Sequence, residues 1–354
     1  MATQKEGRIT EENLQKIAKV LAGKAGFKYP LRIDPIKSGR NNRVYKLIIE
    51  KEIFLLKHYF QHENDQRDRL KTEYSFISFV WNHGLRVIPR PIAFNQSASF
   101  GVYEFVEGKR LHPGEISPQF VQQALDFFLR LNRLTKNPAA NKLNAASESC
   151  FNINDHISCV ESRLQRLSLI KTEDTFSYNA IDFINNELYP VWLKEKDKLL
   201  NQAKKLNWDL SKPFPYGEMC LSPSDFGFHN VILENDGNLR FIDFEYAGWD
   251  DPAKTICDFF CQPSVPVPFH YFPNFQDIIA SEYSYQTNII DRIILVFPTH
   301  YLKWCCIMLN EFLPVGDNRR KFAGYESRNQ RRKIQVEKAR SYLNNFLYNK
   351  ISQK

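Results

Sequence analysis

Residues 221–252 read LSPSDFGFHNVILENDGNLRFIDFEYAGWDDP. Val231-Ile232-Leu233 and Leu239-Arg240-Phe241-Ile242 are short β-type runs. Between them, Asn235-Asp236-Gly237-Asn238 is turn chemistry that favours positive φ and closes a hairpin. Asp225 and Asn230 flank four residues of a tight loop before the first run, and Asp243 ends the second. Hairpin pairing returns Asp243 to the neighbourhood of that loop. Two carboxylates and an amide oxygen brought together in this way suit a hard cation such as Mg²⁺, which takes oxygen ligands and shares substrate phosphates. Taken singly, each residue is also an ordinary turn or capping residue, so the weight rests on all three at these spacings.

The pattern D-x-x-x-x-N, hairpin, I-D-F-E, continued by Tyr246 to Ala253 (YAGWDDPA), resembles the catalytic and metal-binding segment of the aminoglycoside phosphotransferase and choline kinase family. These are small-molecule kinases with a protein-kinase-like fold. The resemblance implies an α+β, two-lobe molecule: a small antiparallel β-rich N-lobe over residues 1–107, and a larger, mainly helical C-lobe over residues 108–354 that carries the hairpin and the acceptor-binding helices. It makes Asp225 the catalytic residue that orients the acceptor hydroxyl and takes its proton, and Asn230 and Asp243 the ligands of Mg²⁺.

Working outward, residues 33–36, 44–49 and 53–59 read as three strands, with Ser38-Gly39-Arg40-Asn41-Asn42 as the turn between the first two. The resemblance makes that turn the nucleotide-covering loop, through Ser38 and Gly39, although a single glycine departs from a Gly-rich pattern. It makes Lys57, set in an apolar strand, the phosphate-contacting lysine, and Glu73, on a helix read over 65–81, its ion-pair partner. Residues 87–93 read as an extended connection, with prolines at 89 and 91 excluding helix. Residues 100–106 follow as a strand. The resemblance then places the inter-lobe hinge at residues 103–108 (YEFVEG), with backbone groups of Glu104 and Val106 on the adenine edge.

Further on, Ser117-Pro118 opens a helix to about 134. Helices are read over 154–167 and over 174–206 with a break near Tyr189-Pro190, and again over 253–261, 277–297, 301–313 and 330–347. The region between hinge and catalytic loop is where the family builds much of its acceptor pocket. Phe228, Glu245, Trp249 and Asp250 stand beside the catalytic elements as candidate acceptor contacts. Two features depart from the family pattern. Pro223-Ser224 replaces the usual His-Gly before the catalytic aspartate, and Thr255 occupies an aspartate slot, with Asp258 a helical turn later as a stand-in. His229 lies nearby and reads as a structural residue.

Composition bounds these readings. The chain has 354 residues, 43% hydrophobic, enough for two lobes with buried cores. No uninterrupted apolar run predicts a membrane span, the N-terminus is polar, and seven cysteines without C-x-x-C spacing favour reduced thiols, so a cytoplasmic protein is expected. The net charge of +8 includes a basic cluster at 319–321 and 328–333. No aromatic-interleaved RNA motif accompanies it, so the cluster reads as a solvated helical face and a nucleic-acid partner is not expected. The expected activity is transfer of a phosphoryl group from ATP, with GTP possible, to a hydroxyl of a sugar, amino sugar or related metabolite. Alternatives are a choline- or ethanolamine-type kinase and a catalytically silent nucleotide-binding relative.

Overall fold

In the computed structural model, which describes residues 9–28, 32–36, 41–62, 65, 67–282, 289–323 and 328–352, a five-stranded antiparallel sheet organises the first third of the chain. Its strands are β1 (Arg32–Ile36), β2 (Arg43–Ile49), β3 (Glu52–His58), β4 (Pro91–Asn95) and β5 (Phe100–Glu104), in the order β1-β2-β3-β5-β4. Two helices flank the sheet: α1 (Glu11–Lys24), capped by the Thr10 side chain, and α2 (Arg69–Asn82), capped by Asp68. The period-two alternation of β3 sorts its side chains between them. Phe54 and Leu56 join Leu14, Ala18 and Leu21 of α1 in one apolar cluster. Lys57 takes the opposite face, toward Glu73 of α2.

Most of the sheet follows the sequence pattern. The exception is β4, expected only as an extended connection. Its first residue is proline, which at a strand start costs no ladder hydrogen bond, and the pairing with β5 shifts register between Pro91 and Ala93.

The chain leaves the sheet through residues 105–108 and immediately forms β6 (Lys109–Arg110), which pairs with β8 (Val231–Leu233) of the hairpin. Gly108 has φ +152°, and a Cβ there would lie 2.3 Å from the Leu233 carbonyl oxygen. Only glycine fits this crossing.

The larger lobe contains α3 (Pro118–Arg133), α4 (Ile153–Leu167), α5 (Thr175–Phe183) and α6 (Tyr189–Lys205). The break expected near Tyr189-Pro190 is a π-helical turn over Ile184–Leu188, which carries the chain from α5 into α6 with Pro190 at the start of a new helix. A proline there forfeits no intrahelical donor. β7 (Cys220–Ser222) leads into the catalytic loop, the hairpin is β8 and β9 (Leu239–Phe241), and β10 (Gly248–Asp250) returns to pair with β7. After α7 (Pro252–Cys261) come α8 (Phe272–Glu282), α9 (Ile289–Met308), α10 (Pro314–Phe322) and α11 (Arg328–Ser352).

α9 merges parts of two expected helices and continues through Pro298. With the turn after it, this segment (Ile289–Phe312) is long and apolar enough by composition to cross a membrane, but it is largely buried among α4, α7 and α11. It also places Arg292 and Lys303 in buried ion pairs with Asp251 and Asp258, as a core helix does. The basic cluster is not a plain solvated face either. Arg332 is buried, bonded to Asp174, with its guanidinium over Phe312, and Arg320 pairs with Glu311.

Candidate active site

Four elements converge below the sheet: β3, α2, the loop after β7, and the end of β9. From β3, Lys57 extends its ammonium into a buried cluster of carboxylates, 2.7 Å from Glu73 Oε2, 2.5 Å from Asp243 Oδ1 and 3.9 Å from Glu245 Oε2. Burial disfavours the charged lysine, but Asp243, Glu73 and Glu245 outweigh it and hold the ammonium protonated well above its ordinary range. Burial raises the pKa of Glu73, an effect that Lys57 opposes. Glu73 is held from other sides as well. Tyr59 donates to it at 2.6 Å, and the Phe244 backbone N–H donates at 3.2 Å.

Asp243 adopts φ +70°, a left-handed conformation uncommon for a residue with a side chain. That turn separates Asp243, whose side chain keeps 35% of its surface exposed, from buried Phe244. Phe244 stacks on Phe76 of α2 with ring centroids 5.4 Å apart. Next in sequence, Glu245 is buried and accepts a 2.6 Å hydrogen bond from Asn42, whose own carbonyl oxygen accepts from the Phe60 N–H. Asn42 thus ties the far end of the β1–β2 turn to the segment after Asp243, a role with no distinctive trace in the sequence.

The loop after β7 carries Asp225. Its Oδ1 lies 3.0 Å from His229 Nε2, and Asn230 Nδ2 donates to its Oδ2 at 3.1 Å and to its backbone carbonyl at 3.0 Å. Burial works against the charged carboxylate, but His229 and the Asn230 amide prevail and hold its pKa below the ordinary value. His229 therefore contacts the Asp225 carboxylate from a position four residues downstream. Thr255, in the aspartate slot, places Oγ1 2.8 Å from Ser222 Oγ, and Ser222 Oγ accepts from the Ser224 N–H. A chain of two hydroxyls thereby fastens α7 to the loop that presents Asp225. Asp258 turns elsewhere, to Lys254, Lys303 and the Trp304 indole.

Not every expected site residue sits at this cleft. Ser38 and Gly39 lie outside the described residues. Phe228 is fully buried against Phe259, Trp249 is buried with its indole N–H on the Ala140 carbonyl, and Asp250 is sealed in the core by Lys254. Their expected acceptor contacts are corrected accordingly, since apolar packing and buried pairing leave them no free face. Glu245 is likewise turned inward, in the lysine cluster. The Glu104 N–H is engaged by the Arg90 carbonyl, and its side chain by Arg240. Val106 lies two residues on, in the segment leading to Gly108.

A buried lysine–carboxylate pair on β3 and α2, joined by a hairpin aspartate and neighboured by a loop aspartate, fits a small-molecule kinase of protein-kinase-like architecture. The chain belongs to the phosphotransferase enzyme family, whose sequence model matches residues 32–260. No curated protein matches the sequence. Among solved structures, a spectinomycin phosphotransferase in complex with ADP and spectinomycin is similar over 93% of this chain and 98% of its own, at 16% identity and TM-score 0.60. An ethanolamine kinase of Plasmodium vivax covers 92% of each chain at 14% identity and TM-score 0.56. A choline kinase of Streptococcus pneumoniae covers 93% of this chain and 99% of its own at 15% identity and TM-score 0.53.

Proposed function

We propose that this protein transfers the γ-phosphoryl group of ATP, in a Mg²⁺-dependent reaction, to a hydroxyl of a small sugar-like metabolite. The observation that carries the reading is the convergence of Lys57, Glu73 and Asp243 within hydrogen-bond reach, facing a loop that holds an ionised Asp225. A silent relative has no need to keep so costly a set of buried charges together.

Each residue has a definite task. Lys57, oriented by Glu73, fixes the nucleotide phosphates. Asp225 accepts a hydrogen bond from the acceptor hydroxyl, aims its oxygen at the γ-phosphorus, and takes the proton as the new O–P bond forms and the bond from the γ-phosphorus to the bridging oxygen breaks, leaving ADP. Its low pKa keeps it ionised at neutral pH, and the bonds from His229 and Asn230 fix its orientation. The donor set also fits Mg²⁺. Asp243 offers carboxylate oxygens on the exposed side of the cluster, and with its N–H groups bonded to Asp225, Asn230 keeps an amide oxygen. When bound there, the ion would neutralise phosphate charge. A choline-type acceptor finds less support, because Trp249 and Phe228, the two aromatic candidates for acceptor contact, are buried and do not form a cage for a quaternary ammonium.

The test is thermal melting with ATP or GTP, each with and without Mg²⁺. A folded-state ligand must raise the melting temperature. The expected result is a Mg²⁺-enhanced shift in the wild type that Asp243→Ala loses. Absence of any shift with either nucleotide at saturation would overturn the reading.

A further inference from the structure

Beside the catalytic loop, away from the hinge, three arginines crowd one tyrosine. Tyr246 follows Glu245, and its ring lies 5.2 Å from the Arg67 guanidinium and 5.8 Å from that of Arg69. Arg319 of α10 is the third, interacting electrostatically with the tyrosine and with both other arginines. The cluster adjoins Asp225 through a continuous set of bonds. The Ser147 N–H donates to the Tyr246 carbonyl at 2.9 Å, and Ser224 Oγ donates to the Ser147 carbonyl at 3.4 Å, one residue before Asp225. Gly248 permits this arrangement, since a Cβ there would collide with the backbone of residues 144–146.

The local charges do not balance. Asp65 serves Arg67 and Arg69 together. Glu148, which also acts on Arg67, is engaged by Arg163, and Glu245 by Asn42 and Lys57. Among the described residues, Arg319 has no carboxylate partner, and its Nε is buried without a hydrogen-bond acceptor. Burial and the neighbouring arginines push its pKa down, the sign of a guanidinium in an uncompensated positive field. Buried guanidinium N–H groups are rarely left without an acceptor, and a carboxylate or phosphate matches their fork.

We propose that the acceptor is an anionic hydroxy compound, whose carboxylate or phosphate is held by Arg319 and Arg67 while its hydroxyl meets Asp225. This inference rests on the phosphotransferase reading and narrows its substrate class to acids, away from amino sugars and choline. Tyr246 lies against the Arg67 and Arg69 guanidiniums, and its hydroxyl, which accepts from Arg69 Nε at 3.4 Å, is kept protonated by burial and Glu245 with a pKa of about 12.

The test uses the full chain with ADP and Mg²⁺. Melting is followed with gluconate, glucose 6-phosphate, inorganic phosphate, glucosamine and choline at matched ionic strength. The expected result is stabilisation of the wild type by at least one of the three anions and by neither amine. Arg319→Gln should weaken that anion's apparent affinity by about tenfold or more, and Arg319→Lys by less. Retention of the nucleotide–Mg²⁺ shift shows that each variant is folded, and Arg67→Gln supplies a second route should Arg319→Gln melt too early. ATP turnover with gluconate or glucose 6-phosphate as acceptor then separates a carboxylate from a phosphate requirement. The proposal is overturned if no anion stabilises the wild type, if the amines act as well as the anions, or if Arg319→Gln and Arg67→Gln respond as the wild type does. A failed kinase reading looks different, because the nucleotide–Mg²⁺ shift itself is then missing.

Discussion

His229 Nε2 sits 3.0 Å from Asp225 Oδ1, so a histidine four residues on in the same loop touches the Asp225 carboxylate. Its electrostatic attraction and hydrogen bond are among the causes of the low Asp225 pKa. Replacing it by glutamine should raise that pKa, and the acidic limb of the kcat/KM profile should move to higher pH. The sign for stability follows from the same shift. A carboxylate whose pKa is depressed by folding stabilises the protein above its unfolded value of about 4, and that contribution is lost as pH falls through the folded value. His229→Gln should therefore narrow the stability difference between pH 7 and acid. An unmoved acidic limb would remove His229 from this role.

Asp225→Asn keeps the shape of the loop and removes the proton acceptor. Turnover is expected to fall by roughly 10²–10⁴-fold, while the nucleotide–Mg²⁺ melting shift persists. Loss of both together would make Asp225 a structural residue.

Lys57 holds buried Glu73 and Glu245 at once. Lys57→Ala leaves two buried carboxylates without their cation, and removing one partner of a buried ion pair costs about 3–5 kcal/mol. The penalty should shrink at acid pH, where Glu73, whose pKa is already raised, takes up a proton. Denaturant titrations at pH 7 and pH 5 measure the difference. Lys57→Met combined with Glu73→Gln should recover part of the loss, and a penalty independent of pH would refute this account.

Thr255→Val deletes the hydroxyl 2.8 Å from Ser222 and leaves that buried oxygen with one partner fewer. A cost of about 1–3 kcal/mol is expected. Because Ser222 fastens the loop of Asp225, kcat should fall while KM for nucleotide holds. Equal changes in both would argue for general destabilisation.

Much of the molecule could be read before its coordinates, for definite reasons. Lys57, Glu73, Asp225, Asn230 and Asp243 sit on elements with strong local signals: an alternating strand, a capped helix, and a hairpin closed by Asn235 to Asn238. The structure joins Lys57, Glu73 and Asp243 in one cluster, and Asp225 with Asn230 in the neighbouring loop. Trp249 and Asp250 misled, because proximity in sequence does not report that both faces of β10 are buried. The partnership of Asn42 with Glu245 joins residues about two hundred positions apart and has no periodic signature. The inward turn of Arg319 was equally hidden, since a run of arginines looks the same whether it faces water or a tyrosine. β4 was missed because its prolines, at positions 89 and 91, stand just before and at the strand start, where they do no harm.

The stacking of Phe76 on Phe244, with Phe127 of α3 beyond at 6.2 Å from Phe244, means that α2 shares its apolar cluster with the large lobe. Most of the sheet packs instead on α1, in a separate cluster. α2 therefore touches both bodies, since its Tyr74 also packs on Phe94 and Tyr103 of the sheet. The Lys57–Glu73 bond runs from the sheet to that shared helix, so any movement of the sheet against α2 would have to stretch or break it.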